Sequence, residues 1–223
     1  GKQVGCVNGL AVVGDCTGMT IDIEVTACEA ADGRGSIRIS GIVEEEEMDT
    51  KGQKLRKTSS AKSSVDNVLT VLKRIANIDT SKYDLHLNFP GGIPIDGPSA
   101  GIAISVAILS AIRDIPVDNS LALTGELSIR GKVKPVGGVA AKVEAARLAG
   151  ITRVLIPKEN WQEMFSDLDI EIIPVESISE VFEIAFGGKA IKPGSITAAD
   201  ISINVASASV NQNDSNVART TPS

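Results

Sequence analysis

The sequence predicts a mixed domain of β-strands and α-helices, and three observations carry that expectation. Residues 4–43 alternate apolar and polar side chains between Gly-rich breaks, the period-2 signature of half-buried strands. Residues 65–76, 98–112 and 139–149 place apolar side chains at helical spacing or on all sides of a helix. The chain of 223 residues is 43% hydrophobic and 22% charged, which supports a folded core and excludes wholesale disorder. Its length corresponds to one domain with an appendage or to two small ones.

Taken in order, Thr20-Ile21-Asp22-Ile23-Glu24-Val25 and Ser36-Ile37-Arg38-Ile39 alternate cleanly and suggest antiparallel pairing. Residues 44–57 are charged and contain Gly52. They read as a solvated loop, and their run of four glutamates as a wet face, not a metal site. Val65, Val68, Leu69, Leu72, Ile75 and Ala76 then recur at helical spacing, with Ser63 or Ser64 as N-cap. In residues 83–89, Leu85, Leu87 and Phe89 point to one side of a strand and Asp84, His86 and Asn88 to the other. After the Gly91-Gly92-Ile93-Pro94 break comes a helix apolar all round to about Ile112, which must be buried.

Residues 121–125 and 127–129 read as short strands around Thr124-Gly125-Glu126. The helix over 139–149 ends at Gly150, the expected C′ residue. Residues 153–156 form a strand stopped by Pro157, and residues 170–175 form another. Ser177-Ile178-Ser179-Glu180 is a capping box for a last helix to about Phe186. Beyond Pro193, Ser, Asn, Ala, Thr and Asp dominate and no period survives. Residues 1–190 are therefore expected to form the domain and 191–223 a disordered tail.

A net charge of −6 and 3% aromatic residues speak against a nucleic-acid partner, which needs clustered Lys and Arg or stacking platforms. Cys6, Cys16 and Cys28 form no CxxC pair, and His86 is the single histidine, so a Cys/His zinc site is excluded. Three reduced thiols fit the cytosol. The longest apolar run, Ala100 to Ile112, is too short to span a membrane, and the start of the chain lacks the features of a signal peptide. Because it opens inside strand-like sequence, the chain reads as a fragment of something longer.

Gly97-Pro98-Ser99-Ala100-Gly101 fits the nucleophile-elbow pattern G-x-S-x-G, whose triad requires an acid and then a histidine after the serine. No histidine follows Ser99, so that form fails. Position is more informative. Pro98 suits a first helical turn and puts Ser99 at the mouth of a buried helix, where N–H groups and the dipole favour an anion. The plain alternative is that Ser99 only caps the helix.

Lys142 shares a helix face with Val139, Val143, Ala146 and Ala149, opposite Ala140, Glu144 and Arg147. A lysine in that stripe either snorkels to water or is a partly buried amine whose charged form is disfavoured. A neutral amine near a serine hydroxyl is a competent general base. A Ser99–His86–Asp96 triad also fits the spacing, the alternative being a structural histidine. Ser59-Ser60-Ala61-Lys62 fits S-x-x-K but lacks its partner motifs. Gly125 to Gly131-Lys132 is one residue too long for a phosphate loop and has Val133 where Ser or Thr is required.

Asp84-Leu85-His86-Leu87-Asn88-Phe89-Pro90-Gly91-Gly92, Asp96-Gly97-Pro98-Ser99-Ala100-Gly101, Thr124-Gly125-Glu126 and Lys134-Pro135-Val136-Gly137-Gly138, followed by Lys142 and Ala145-Ala146, together resemble the proteolytic domain of Lon proteases. Val4-Gly5-Cys6-Val7-Asn8-Gly9-Leu10-Ala11 is similar to that domain's first strand, and the resemblance covers about residues 4–190. Gly41-Ile42-Val43-Glu44-Glu45-Glu46 and residues 88–92 look more like the bacterial LonB branch, and Asn88 stands where the classical enzymes often carry a second histidine.

The resemblance implies an α+β fold, similar to the second domain of ribosomal protein S5, and a hexameric ring. It implies a Ser-Lys dyad with Ser99 as nucleophile and Lys142 as general base. Thr124 would orient the lysine, and Asp96 and His86 would support the site near its entrance. Peptide-bond hydrolysis would pass through an acyl-enzyme, with the backbone N–H groups of Ser99 and Ala100 holding the oxyanion. No cofactor is expected in this chain. ATP and Mg would act in an AAA+ ATPase module upstream, which unfolds protein substrates and feeds them to the ring. The expected location is the cytoplasm, or its membrane face where a LonB-type anchor precedes the domain. A non-catalytic assembly domain and a small-molecule esterase or amidase are the competing readings.

Overall fold

Alternation near the N-terminus becomes a long antiparallel pair in the computed structural model, which describes residues 1–14, 17–41, 60–91 and 97–187. The expected loop at 44–57, Asp96 and the expected tail at 191–223 lie outside the described residues. Strand β1 (Lys2–Gln3) is followed by β2 (Cys6–Val13) and β3 (Thr17–Glu29). In β3, Ile21, Ile23 and Val25 are buried while Asp22, Glu24 and Thr26 are exposed, so one face meets the core and the other water.

The next strand departs from the antiparallel expectation. β4 (Ile37–Ser40) runs parallel to β5 (Tyr83–Asn88), with Ile37 opposite Leu85 and Ser40 opposite Asn88. Parallel neighbours need a long crossover, and helix α1 (Ser60–Ile75) lies within it. α1 begins ahead of the expected cap at Ser63 or Ser64. Ala61 and Ser64 turn inward with Val65, Val68 and Leu72 and lengthen the buried stripe.

A short 3-10 turn over Gly97–Ala100 leads into α2 (Gly101–Arg113), buried on all sides from Gly101 to Ser110, as an apolar run of that length requires. There follow β6 (Val117–Asp118), which pairs with β1, then β7 (Leu121–Leu123), β8 (Glu126–Leu127) and β9 (Val133–Lys134). β8 is shorter than expected because the chain reverses after it. Gly131, at φ +82°, donates its N–H to the Ser128 carbonyl at 2.9 Å and returns the chain into β9, leaving Ile129 exposed. Helix α3 (Val139–Leu148), β10 (Arg153–Pro157), β11 (Glu171–Val175) and α4 (Ile178–Phe186) complete the order. The expected cap holds in part: the Ser177 hydroxyl accepts the Glu180 N–H, while the Glu180 carboxylate accepts the N–H of Glu176, one residue before the cap, at 3.1 Å.

Among the described residues the main sheet has the order β11-β10-β7-β2-β3-β5-β4. β11, β10, β7 and β2 run parallel, and β3 is antiparallel to both β2 and β5. With helices packed on this mixed sheet, the domain is α+β. Leu10, Ala122, Val154 and Ile156 pack on one face beneath Val139, Val143 and Ala146 of α3. By alternation, Ile21, Ile23, Leu121, Leu123 and Leu155 face the other way, and α2 packs against β2 and β3 there. Side chains from α3 and from the turn before α2 therefore approach from opposite faces, and they can meet only past the end of a strand. β7 is that strand, stopping at Leu123 while β2 beside it runs on to Val13. The carboxyl ends of parallel strands are where such crevices form.

Two glycines permit the close approach. A Cβ at Gly18 would strike the Ala141 carbonyl of α3, and one at Gly101 would lie 2.8 Å from the Leu127 nitrogen. Gly18→Ala is expected to lower the unfolding free energy by about 1–3 kcal/mol through overpacking, read from denaturant melts. An unchanged midpoint would mean that α3 does not rest on β3.

Candidate active site

Thr124 and Gly125 follow β7 directly and tie three elements together. The Thr124 N–H donates to the Leu155 carbonyl of β10 at 3.1 Å, and the Gly125 N–H donates to the Ser99 carbonyl at 2.9 Å. The Gly125 carbonyl in turn accepts the Ile102 N–H of α2 at 3.2 Å. The turn after β7 is thus held by β10 on one side and by the Ser99 turn on the other.

Ser99 is only 1% exposed and lies in the 3-10 turn that precedes α2. The cap position of α2 falls on Ala100, which makes no side-chain cap bond. Ser99 is therefore not at the cap, and its backbone N–H and that of Ala100 stand at the positive end of the helix.

α3 turns Val139, Lys142, Val143 and Ala146 inward, the face expected from helical spacing. Ala149, assigned to the same face, is exposed because the helix ends there, with Gly150 at φ +78° beyond it. Lys142 is 1% exposed and among the largest fully buried side chains, so it does not snorkel. Its amine donates to Thr124 Oγ1 at 3.2 Å, and the Thr124 hydroxyl lies 3.4 Å from the Ser99 carbonyl, to which it donates. A hydroxyl has one proton. With that proton turned toward Ser99, Thr124 can only accept from the amine. Ser99, Thr124 and Lys142, drawn from three separate elements, form one buried cluster.

His86 lies elsewhere. It is exposed on the solvent side of β5, with Nε2 3.0 Å from Ser40 Oγ. Ser40 donates to Asn88 Oδ1 at 2.8 Å, and Asn88 Nδ2 donates to Glu24 Oε2 at 2.9 Å, giving a polar row across β4, β5 and β3. Because the Ser40 proton goes to Asn88, Nε2 of His86 carries the hydrogen in their bond.

Two thiols, partly buried Cys6 and exposed Cys28, are free. Burial, then the charges of Asp22 and Glu24, push the Cys6 thiol up and make it a poor nucleophile. Among the described residues no group of three or more His, Cys, Asp or Glu is placed to hold a metal ion, and no helix is long and apolar enough to cross a membrane. The sequence reading passed over Gly18. Its available signal was a lone glycine inside an alternating strand, a mark of close backbone approach.

Residues 1–188 match the family described as the Lon protease (S16) C-terminal proteolytic domain. The chain is similar to Lon protease 2 of Bacillus subtilis, 53% identical over 182 residues, covering 81% of this chain and 33% of that protein. It is similar to the archaeal Lon protease of Pyrococcus abyssi, 41% identical over 191 residues, covering 83% of this chain and 18% of that protein. With the archaeal Lon protease of Methanothermobacter thermautotrophicus it shares 42% identity over 196 residues, 85% of this chain and 28% of the relative. The chain thus spans a third or less of the length of each of these relatives.

Thr124→Val keeps the volume of the side chain and removes both of its hydroxyl bonds. With a buried amine then deprived of an acceptor, a loss of about 1–3 kcal/mol is expected in chemical denaturation. Wild-type stability in that variant would show that the hydroxyl carries no such bond.

Proposed function

The chain belongs to the family of Lon C-terminal proteolytic domains, a peptidase family, and we propose that Ser99 and Lys142 are its catalytic dyad. One observation carries the assignment: the Lys142 amine and the Ser99 carbonyl share the Thr124 hydroxyl, and all three residues are buried. Desolvation disfavours the charged form of an amine. A neutral lysine can then accept the serine proton, which an ammonium cannot.

The reaction follows from those positions. Lys142 takes the Ser99 proton as Oγ attacks the scissile carbonyl carbon, and the backbone N–H groups of Ser99 and Ala100 hold the oxyanion. The ammonium returns its proton to the departing amine as the peptide bond breaks. A water deprotonated by Lys142 then attacks the ester, and the ammonium returns that proton to Ser99 Oγ as the acyl–oxygen bond breaks and the acid is released. Thr124 fixes one amine hydrogen and leaves the nitrogen lone pair to be aimed at the serine. Asp96 and His86 are assigned supporting roles, His86 at a distance, through the strand that precedes the Ser99 turn.

For the longer protein we propose an upstream AAA+ module that uses ATP and Mg to unfold protein substrates, with this domain assembled as a homohexamer in the cytoplasm, or at its membrane face through a preceding anchor. This chain supplies no cofactor to its own chemistry. Without that module it is expected to cut peptides and unfolded proteins only.

Degradation of unfolded casein by the 223-residue chain, with fluorophosphonate labelling of Ser99, tests the assignment. Ser99→Ala and Lys142→Ala should each lower turnover by about three orders of magnitude or more, while His86→Ala stays within about tenfold of wild type. Turnover surviving Lys142→Ala but lost in His86→Ala would transfer the reaction to a histidine triad.

A further inference from the structure

We infer that Asn160 is a positioning residue for the dyad: its side-chain amide clamps the backbone of Val136 and so fixes the segment that leads into α3, the helix carrying Lys142. The inference rests on the Ser-Lys reading above and assigns it a support at a distance. Asn160 ends the short turn Lys158–Asn160 that follows β10. Its Oδ1 accepts the Val136 N–H at 2.8 Å, and its Nδ2 donates to the Val136 carbonyl at 3.0 Å. Both polar groups of one residue are thereby paired by one side chain, as a neighbouring strand would pair them.

The lead-in to α3 needs such a clamp. Gly137 and Gly138 lie between Val136 and the helix, and glycine pairs leave the backbone free to turn. Gly138 sits at the cap position with φ +67°, and the helix has no side-chain cap bond there. The Lys142 N–H donates to the Gly138 carbonyl at 3.0 Å, which places Lys142 in the first turn, where helices fray. Val136 also packs against the apolar cluster beneath α3, so the clamped residue is anchored by contact as well as by hydrogen bonds.

The location of Asn160 gives the clamp its consequence. β10 holds Thr124 through the Leu155 carbonyl and, just beyond the strand, Asn160 holds Val136. One continuous stretch of backbone therefore sets the Thr124 turn and the Lys142 helix relative to each other. Asparagine suits the task because its amide offers one donor group and one acceptor at the reach of a peptide group. Aspartate would keep the acceptor for the Val136 N–H but set a carboxylate against the Val136 carbonyl. Alanine removes both bonds.

The test compares Asn160→Ala and Asn160→Asp with Lys142→Ala and Asp79→Ala in the 223-residue chain, on an unfolded peptide substrate. Asp79→Ala removes the side-chain cap of the turn Thr80–Lys82 before β5 and serves as a destabilised control away from the lead-in. Both Asn160 variants should lose on the order of ten- to a hundredfold in kcat with KM within about twofold, because the base is displaced and not the substrate surface. Fluorophosphonate labelling of Ser99 should slow in parallel, and hydrogen exchange at the Val136 and Lys142 amides should accelerate. Wild-type kcat and labelling in both Asn160 variants, or an equal loss in Asp79→Ala, would overturn the clamp. Activity surviving Lys142→Ala would overturn the dyad reading, and the clamp with it. An inactive Lys142→Ala beside unimpaired Asn160 variants would overturn the clamp alone.

Discussion

The bond from the Lys142 amine to the Thr124 hydroxyl, at 3.2 Å, forms between buried side chains and sets demands on everything around it. Removing an ammonium from water costs several kcal/mol even after relaxation, and that penalty is offset only by partners or by loss of the charge. Burial of the side chain disfavours the charged form of the amine. The Thr124 hydroxyl gives the amine an acceptor that carries no charge of its own. A carboxylate in that place would attract the ammonium form; a hydroxyl leaves room for proton transfer.

That bond could not form in an uninterrupted sheet. α3 and α2 lie on opposite faces, and a continuous β7 would separate the lysine from the serine turn. β7 is three residues long, and its end at Leu123 opens the passage. Thr124 occupies the gap, fixed through its own N–H to Leu155 and through Gly125 to Ser99. The short strand and the tightly bonded turn after it are two halves of one arrangement. Lengthening the strand would fill the gap, and loosening the turn would draw the Thr124 hydroxyl away from the Lys142 amine.

Much of this was legible in the sequence where a local period carried the information. Lys142 stood out because helical spacing put it among apolar residues, and Ser99 because Pro98 and the apolar run after it marked the start of a buried helix. The polar side of the His86 strand was equally plain from alternation. Thr124 had no such signal, since a threonine after a three-residue strand fits no period, and only the family resemblance pointed to it. The parallel pairing of β4 with β5 was hidden because Ile37 meets Leu85 across an intervening helix, a contact that local alternation cannot report. Asn160 was invisible for the same reason. Its partner Val136 lies 24 residues away, and a side chain bonded to backbone leaves no pattern in residue type.

The helix starts show where local stability gives way to the demands of the site. α4, which carries none of the three cluster residues, begins with a side-chain cap, the Ser177 hydroxyl accepting the Glu180 N–H. α2 and α3, which carry the serine turn and the lysine, have no side-chain cap bond at all. A cap side chain before α2 would draw on the free backbone N–H groups of its first turn. At α3 the cap position is a left-handed glycine, and Asn160 holds the segment before it by pairing both polar groups of Val136. Each of these helix starts is thus tied to another element: the Gly125 carbonyl accepts the Ile102 N–H of α2, and the Asn160 amide fixes the lead-in to α3.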